Sequence, residues 1–227
     1  MTPDAELLRQ YVEDGSEAAF AELVNRHANL VCSAALRQVQ GNIHLAQDVT
    51  QSVFTDLARK ARKLTRHNSL AGWLYTSVRF AAANLRRDTW RREQREQNAQ
   101  AISAMSAPPN FPASPSEVDR LASTLDEAMH TLREQDRHAI ILRFFQNKPF
   151  ADVGESLGLN ENAARKRVER ALEKLRTIFE RHGITISGVV LTELLAAQAV
   201  SAAPAGLATL VTKSALITAS AAPPLAT

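Results

Sequence analysis

Between residues 97 and 117 the chain reads QNAQAISAMSAPPNFPASPSE, with Pro108, Pro109, Pro112 and Pro115 and almost no charge. Proline has no backbone N–H to donate, and its ring collides with the preceding helical turn. No helix can run through this stretch, and an extended spacer is expected there. The chain therefore divides into a first domain over 1–96, a linker over 97–117, a second domain over 118–182 and a tail over 183–227. On both sides of the spacer the apolar residues recur at helical intervals, and no alternating strand pattern stands out. The expected fold class is all-α: two small helical domains, the second a helix-turn-helix, followed by an apolar helical C-terminal extension.

In the first domain, Phe20, Leu23, Val24, His27, Leu30, Val31 and Ala34 recur at three and four behind Ser16, a candidate N-cap. Gly41-Asn42 breaks the chain. A second helix carries Val49, Val53 and Leu57 on one face and ends near Lys63. A long helix follows from about Leu70 to Glu96, with Leu74, Val78, Ala81 or Ala82, and Leu85 as its inner stripe. The second domain opens on Leu121, Leu125, Met129 and Leu132, then Ala139, Ile140, Leu142 and Phe144, with a turn at Asn147-Lys148-Pro149. Next comes FADVGESLGLNENAARKRVERALEKLR. Val153 and Leu157 form one short apolar face, Gly158 suits a turn needing positive φ, and Leu159 plugs that turn. Asn160 can cap a helix whose buried face is Ala164, Val168, Leu172 and Leu175. That is helix-turn-helix spacing. Its outward donors suit phosphates and base edges, although an ordinary helical hairpin with a charged face fits the same spacing.

The net charge of +3 conceals blocks. Residues 1–58 hold 3 basic and 8 acidic side chains, 59–95 hold 11 and 2, 96–147 hold 4 and 7, and 148–182 hold 8 and 6. The +9 block also contains Trp73, Tyr75, Phe80 and Trp90, and flat rings beside arginine are what single-stranded nucleic acid uses. The chain shows no Gly-rich phosphate loop and no His/Asp/Glu ligand spacing, so it does not read as an enzyme, and no cofactor or metal is expected. Cys32, the single cysteine, excludes a disulfide framework and falls on an apolar helical face, the place of an inert thiol in a reduced, cytoplasmic protein. The N-terminus has acids and no apolar core, unlike a signal peptide.

The order of Asp48-Val-Thr-Gln51-Ser-Val-Phe54, Gly72-Trp73-Leu74-Tyr75, the Arg-rich helix, the Pro linker and the terminal helix-turn-helix resembles the sigma-70 family of RNA polymerase sigma factors, extracytoplasmic-function (ECF) group. The resemblance covers roughly residues 5–180. It implies a region 2-like first domain and a region 4-like second domain that together direct promoter-specific initiation. Asp48, Gln51, Phe54 and Thr55 would then bind core polymerase at the β′ clamp helices. Arg66, Asn68, Trp73, Tyr75, Arg79, Phe80, Asn84, Arg86, Arg87 and Arg91 would bind the −10 element, with the Arg66–Ala71 loop cradling a flipped base. Asn162, Arg165, Lys166, Arg167 and Arg170 would bind the −35 element, on a domain that also touches the β flap. Arg167 lies nearest the flank of its helix. Trp73 and Trp90 fit packing roles as well as stacking ones, and Leu74 fits the core.

Three positions depart from the family pattern. After W-L-Y the family commonly has R-N-x-x-x-D, and here Arg79 precedes Phe80 and Asn84, while Gly154 stands where Ala is usual and is expected to loosen its helix slightly. Residues 183–227 match neither domain and read as two short apolar helices broken at Ala203-Pro204, packed on the domains or on a partner. The run Leu194–Thr212 is uncharged, but Pro204, Gly206 and its small residues make it a poor membrane span, and membrane association is not expected. An anti-sigma factor or another regulator is a further partner class. The rival reading is a helix-turn-helix regulator that binds DNA without replacing sigma.

Overall fold

Ser16, Asn42 and Asn160 each accept a hydrogen bond from a backbone N–H three residues on, at 3.2, 3.1 and 2.8 Å, and so open three of the helices. In the computed structural model residues 2–65, 69–100, 117–197, 204 and 206–220 are described, with the side chains of 88–100, 117–120, 122, 123, 219 and 220 excepted. The helices are α1 (Asp4–Glu13), α2 (Glu17–Gln38), α3 (Ile43–Leu64), α4 (Leu70–Gln100), α5 (Glu117–Thr131), α6 (Glu134–Ile140), α7 (Phe150–Leu157), α8 (Glu161–Arg181), α9 (Gly188–Ala197) and α10 (Leu207–Ser220). A wider π-type turn, Ile141–Phe145, continues α6 and closes on the Gln146 N–H to Ile141 carbonyl bond of 2.9 Å. No strand occurs among the described residues, and the fold class is all-α. The spacer expectation falls on 101–116, outside the described residues.

The first unit is α1–α4 and the second α5–α8. Apolar spacing sets both cores. Phe20, Leu23, Val24, Val31, Val53, Leu57, Leu74, Val78 and Ala82 are all buried in the first unit. Leu125, Met129, Ile140, Val153, Val168, Leu175 and Phe179 are buried in the second. Cys32 lies in the first core, where burial raises its thiol pKa. Truncating one fully buried leucine of this kind costs about 2–5 kcal/mol.

Periodicity did not single out α1. It is held by charge: Asp4 bonds Arg26 Nη1 at 2.7 Å and His27 Nε2 at 2.8 Å, both on α2. Burial alone would raise the Asp4 pKa, but His27 and Arg26 outweigh it and bring it to about 2. The long helix α4 runs to Gln100, four residues past the expected end. Gly158 takes φ +66° and ends α7, as its place in the motif requires. Gly154 overturns the expectation of a loosened helix. A Cβ there would stand 2.7 Å from the Leu159 carbonyl oxygen and 3.2 Å from the Asn160 carbonyl carbon. Its hydrogen side chain lets α7 press against the turn into α8.

The two units meet around one carboxylate. Asp126 of α5 is 7 % exposed and receives the Tyr75 hydroxyl at 2.5 Å and the Gln38 amide at 3.0 Å, with Arg37 Nε at 3.6 Å. The Tyr75 ring stacks on Phe145 at 5.9 Å and lies 5.5 Å from the His130 ring, and the Arg37 guanidinium sits 5.5 Å over Phe145. The tail forms the two expected helices, and Pro204 belongs to neither, while Ala203 of the expected break lies outside the described residues. α9 packs on α8 and the π-type turn, burying Leu191 and Leu195. α10 packs on α2 and α3 of the first unit, burying Leu207, Val211 and Ala215. No helix among the described residues is long and apolar enough to cross a membrane.

Two stability outcomes follow from these contacts. Gly154→Ala gains about 1 kcal/mol of helix propensity but forces overpacking of about 1–3 kcal/mol, so denaturant melts should show a net loss. Asp4 has a folded pKa below its ordinary 3.8. Its contribution, about 2 kcal/mol, is present above that value and disappears as pH falls toward 2. Asp4→Asn should accordingly be less stable than wild type by about that amount at pH 7, with the gap closing between pH 4 and 2.

Candidate nucleic-acid interface

On α3, helical spacing sends Val49, Val53 and Leu57 inward and leaves the opposite face to solvent. Asp48 and Gln51 are exposed on that face and Thr55 is half-buried. Phe54 differs from its expected role as a polymerase contact. It is 0 % exposed, so it supports the helix from the core rather than presenting a surface to a partner.

The start of α4 lies against α3 and forms a cleft of about 510 Å³ lined by Ser52, Asp56, Lys60, Trp73, Thr76, Ser77, Phe80 and Asn84. Trp73 is half-buried on its wall with the Lys60 ammonium 6.0 Å from its ring, and Phe80 is 65 % exposed at its rim. Lys60 in turn bonds Asp56 at 2.7 Å. Arg79, Arg86 and Arg87 are exposed on the same helix, and Arg87 donates to the Asn84 side-chain oxygen at 3.2 Å. Leu74 is core. Tyr75 is not on this surface: it is 2 % exposed, with its hydroxyl committed to Asp126, and burial pushes its pKa up strongly. Arg66 and Asn68, the side chains of Trp90, Arg91 and Arg92, and with residues 66–68 half of the expected base-cradling loop lie outside the described residues. Sequence reading missed Lys60, Thr76 and Ser77. The signal was available, because 73, 76, 77, 80 and 84 are helical neighbours of one stripe.

On α8 the Asn162, Arg165, Lys166 and Arg170 side chains are exposed together. Phe150, at the head of α7, lies between two guanidinium groups, Arg165 at 4.8 Å and Arg143 at 4.9 Å from its ring. The Arg165 guanidinium thus rests on the Phe150 ring and is also paired with Glu161 at 3.5 Å. Arg167 stands apart from this exposed set: it is half-buried on the flank of the helix and hydrogen-bonds the Gln135 side chain of α6. No cluster of three or more His, Cys, Asp or Glu residues that could hold a metal occurs among the described residues.

The model of sigma-70 region 2 matches residues 23–92, and that of sigma-70 region 4 matches residues 123–175. The chain is 32% identical over 165 residues to the RNA polymerase sigma factor CarQ of Myxococcus xanthus, covering 73% of this chain and 91% of that protein. This chain belongs to the sigma-70 family. It is also 28% identical to the ECF sigma factor SigE of Mycolicibacterium smegmatis, over 74% of this chain and 65% of that protein. To the ECF sigma factor SigW of Bacillus subtilis it is 23% identical, over 73% of this chain and 91% of that protein. Within the family it falls among the ECF sigma factors, which are DNA-binding initiation factors. It acts with core RNA polymerase on promoter DNA to direct promoter-specific transcription initiation. A regulator built on a helix-turn-helix alone leaves the region 2 match unexplained.

Proposed function

We propose that this sigma factor divides its labour by surface. The first unit docks on the β′ clamp helices of core polymerase through Asp48, Gln51 and Thr55, and holds the melted −10 element in the α3–α4 cleft. Trp73 and Phe80 supply stacking surfaces there, and Arg79, Arg86 and Arg87 neutralise phosphates. The second unit reads the −35 element as duplex through Asn162, Arg165, Lys166 and Arg170. The chain works without catalytic chemistry, in the cytoplasm. One observation carries this reading: the acidic and amide face of α3 runs directly into a ring-lined cleft with exposed arginines beyond it. A strand melted at the polymerase surface would meet rings and positive charge within one turn of the docking face. Stacking on each ring stabilises an unpaired base by about 1–3 kcal/mol, which is the scale of the unstacking cost.

Run-off transcription and binding assays with purified core polymerase test the division. Asp48→Ala combined with Gln51→Ala should weaken core binding at least about tenfold, since a charge-assisted hydrogen bond is worth about 1.5–3 kcal/mol. Trp73→Ala combined with Phe80→Ala should leave core binding intact and weaken holoenzyme capture of single-stranded −10 DNA. Loss of core binding in the ring variants and not in the α3 variants would reverse the assignment.

For the second unit, the log–log salt slope of duplex binding should flatten by about one for each phosphate contact removed. Arg165→Ala and Lys166→Ala should each show that change. Arg167→Ala, which removes an internal bond to Gln135, should lower stability and leave the slope alone.

A further inference from the structure

The two DNA-reading units and the tail cannot all keep their present contacts on a promoter. The −35 and −10 elements are, by their positions, about 25 base pairs apart, or about 85 Å at about 3.4 Å per pair. Here the units touch through Asp126, Tyr75, Gln38 and Phe145, and a compact chain of this length has a radius of gyration of about 17 Å. The tail adds a second tie between the same two bodies. Its α9 is seated on α8 and the π-type turn of the second unit, its α10 on α2 and α3 of the first. Residues 198–206 join these two helices, and nine residues reach at most about 30 Å. Separating the units to promoter spacing pulls directly on the two seats.

We infer that α9 and α10 form an intrachain clasp, with α10 anchored in a groove of the region 2 unit and α9 as its releasable arm on the second unit. The inference rests on the sigma-factor reading above. The α9 seat is the lighter one to give up: Leu191 and Leu195 are its buried side chains, while Val189 and Val190 stay exposed. The α10 seam is Leu207, Val211 and Ala215, and the opposite face of that helix carries Leu210 at 69 % exposed together with Lys213. The groove it fills is formed by α2 and α3, and α3 carries the Asp48–Gln51 face on its other side. The docking face stays open while the clasp is shut. Core polymerase can therefore engage the closed chain first, and opening then frees the second unit to reach the −35 element. A closed form that must open lowers the apparent affinity of the holoenzyme for promoter DNA in proportion to the fraction open.

Three measurements on the full chain test the clasp. Val211→Asp places a charge in the seam, and Leu210→Asp places one on the exposed face as control. Small-angle scattering should show Val211→Asp several ångströms larger in radius of gyration than wild type, with promoter DNA captured about tenfold more tightly by its holoenzyme, and Leu210→Asp unchanged in both. Hydrogen exchange of the wild-type chain should show α9 amides losing protection when core and promoter DNA are added together, a readout that needs no folded variant. A compact Val211→Asp with unchanged promoter affinity, an equal effect of Leu210→Asp, or α9 amides that stay protected in the promoter complex each overturn the clasp. A wild-type chain that fails to bind core overturns the sigma-factor reading instead.

Discussion

The arrangement of this molecule turns on a single buried carboxylate. Asp126 has left water and is satisfied by the Tyr75 hydroxyl and the Gln38 amide, with the Arg37 guanidinium beside it. A charge buried in this way is tolerated only while its partners stay in place, and removing one costs about 3–5 kcal/mol. Every partner named belongs to the first unit, whereas Asp126 belongs to the second. The contact therefore specifies one relative orientation of two bodies that would otherwise be free to slide over apolar surface. Phe145 and His130 complete the site from the second unit's side, with Arg37 over the Phe145 ring. His130 is kept neutral there: burial, then the charges of Arg79 and Arg137, hold its pKa down at about 4.

Within each unit one helix buries one face in the core and leaves the face of the proposed contacts to solvent. The 3.6-residue period gives α3 an apolar stripe of Val49, Val53 and Leu57 and leaves Asp48 and Gln51 on the far side, with no adjustment of the backbone. On α8, Ala164, Val168, Ala171 and Leu175 lock the helix inward, and Arg165, Lys166 and Arg170 project from the rigid face this creates. The cation–π contact with Phe150 ties that face back to α7, so the two helices of the helix-turn-helix present one surface.

Local chemistry made much of this legible. The caps at Ser16 and Asn160, the left-handed Gly158 and the buried stripes all follow from contacts within a few residues, and they can be read from spacing. Contacts made across the fold could not be. Tyr75 sits in an Arg-rich stretch with other rings, where stacking on nucleic acid and packing against a second domain look alike until Asp126 is found beside it. Gly154 reads as a helix defect until the Leu159 carbonyl is seen 2.7 Å from its missing Cβ. Arg167 counts as a donor for DNA until Gln135, on another helix, is found bonded to it. α1 escaped because an ion pair to α2 holds it rather than a strong stripe.

The departure at Phe80 and Asn84 bears on how such a chain would discriminate promoters. Phe80 puts an exposed ring where the family commonly carries an amide, and Asn84 puts an amide, tied to Arg87, where a carboxylate is common. A ring face accepts any base, so stacking adds affinity for a melted strand with little preference for its sequence. An amide next to arginine lacks the charge that would hold that arginine away from phosphate. Both changes favour grip on the strand over selection among bases. On the proposed reading, discrimination in the −10 region then falls to groups around residues 66–71. The balance of promoter choice shifts toward the α8 face, where side chains meet the distinct base edges of a duplex groove.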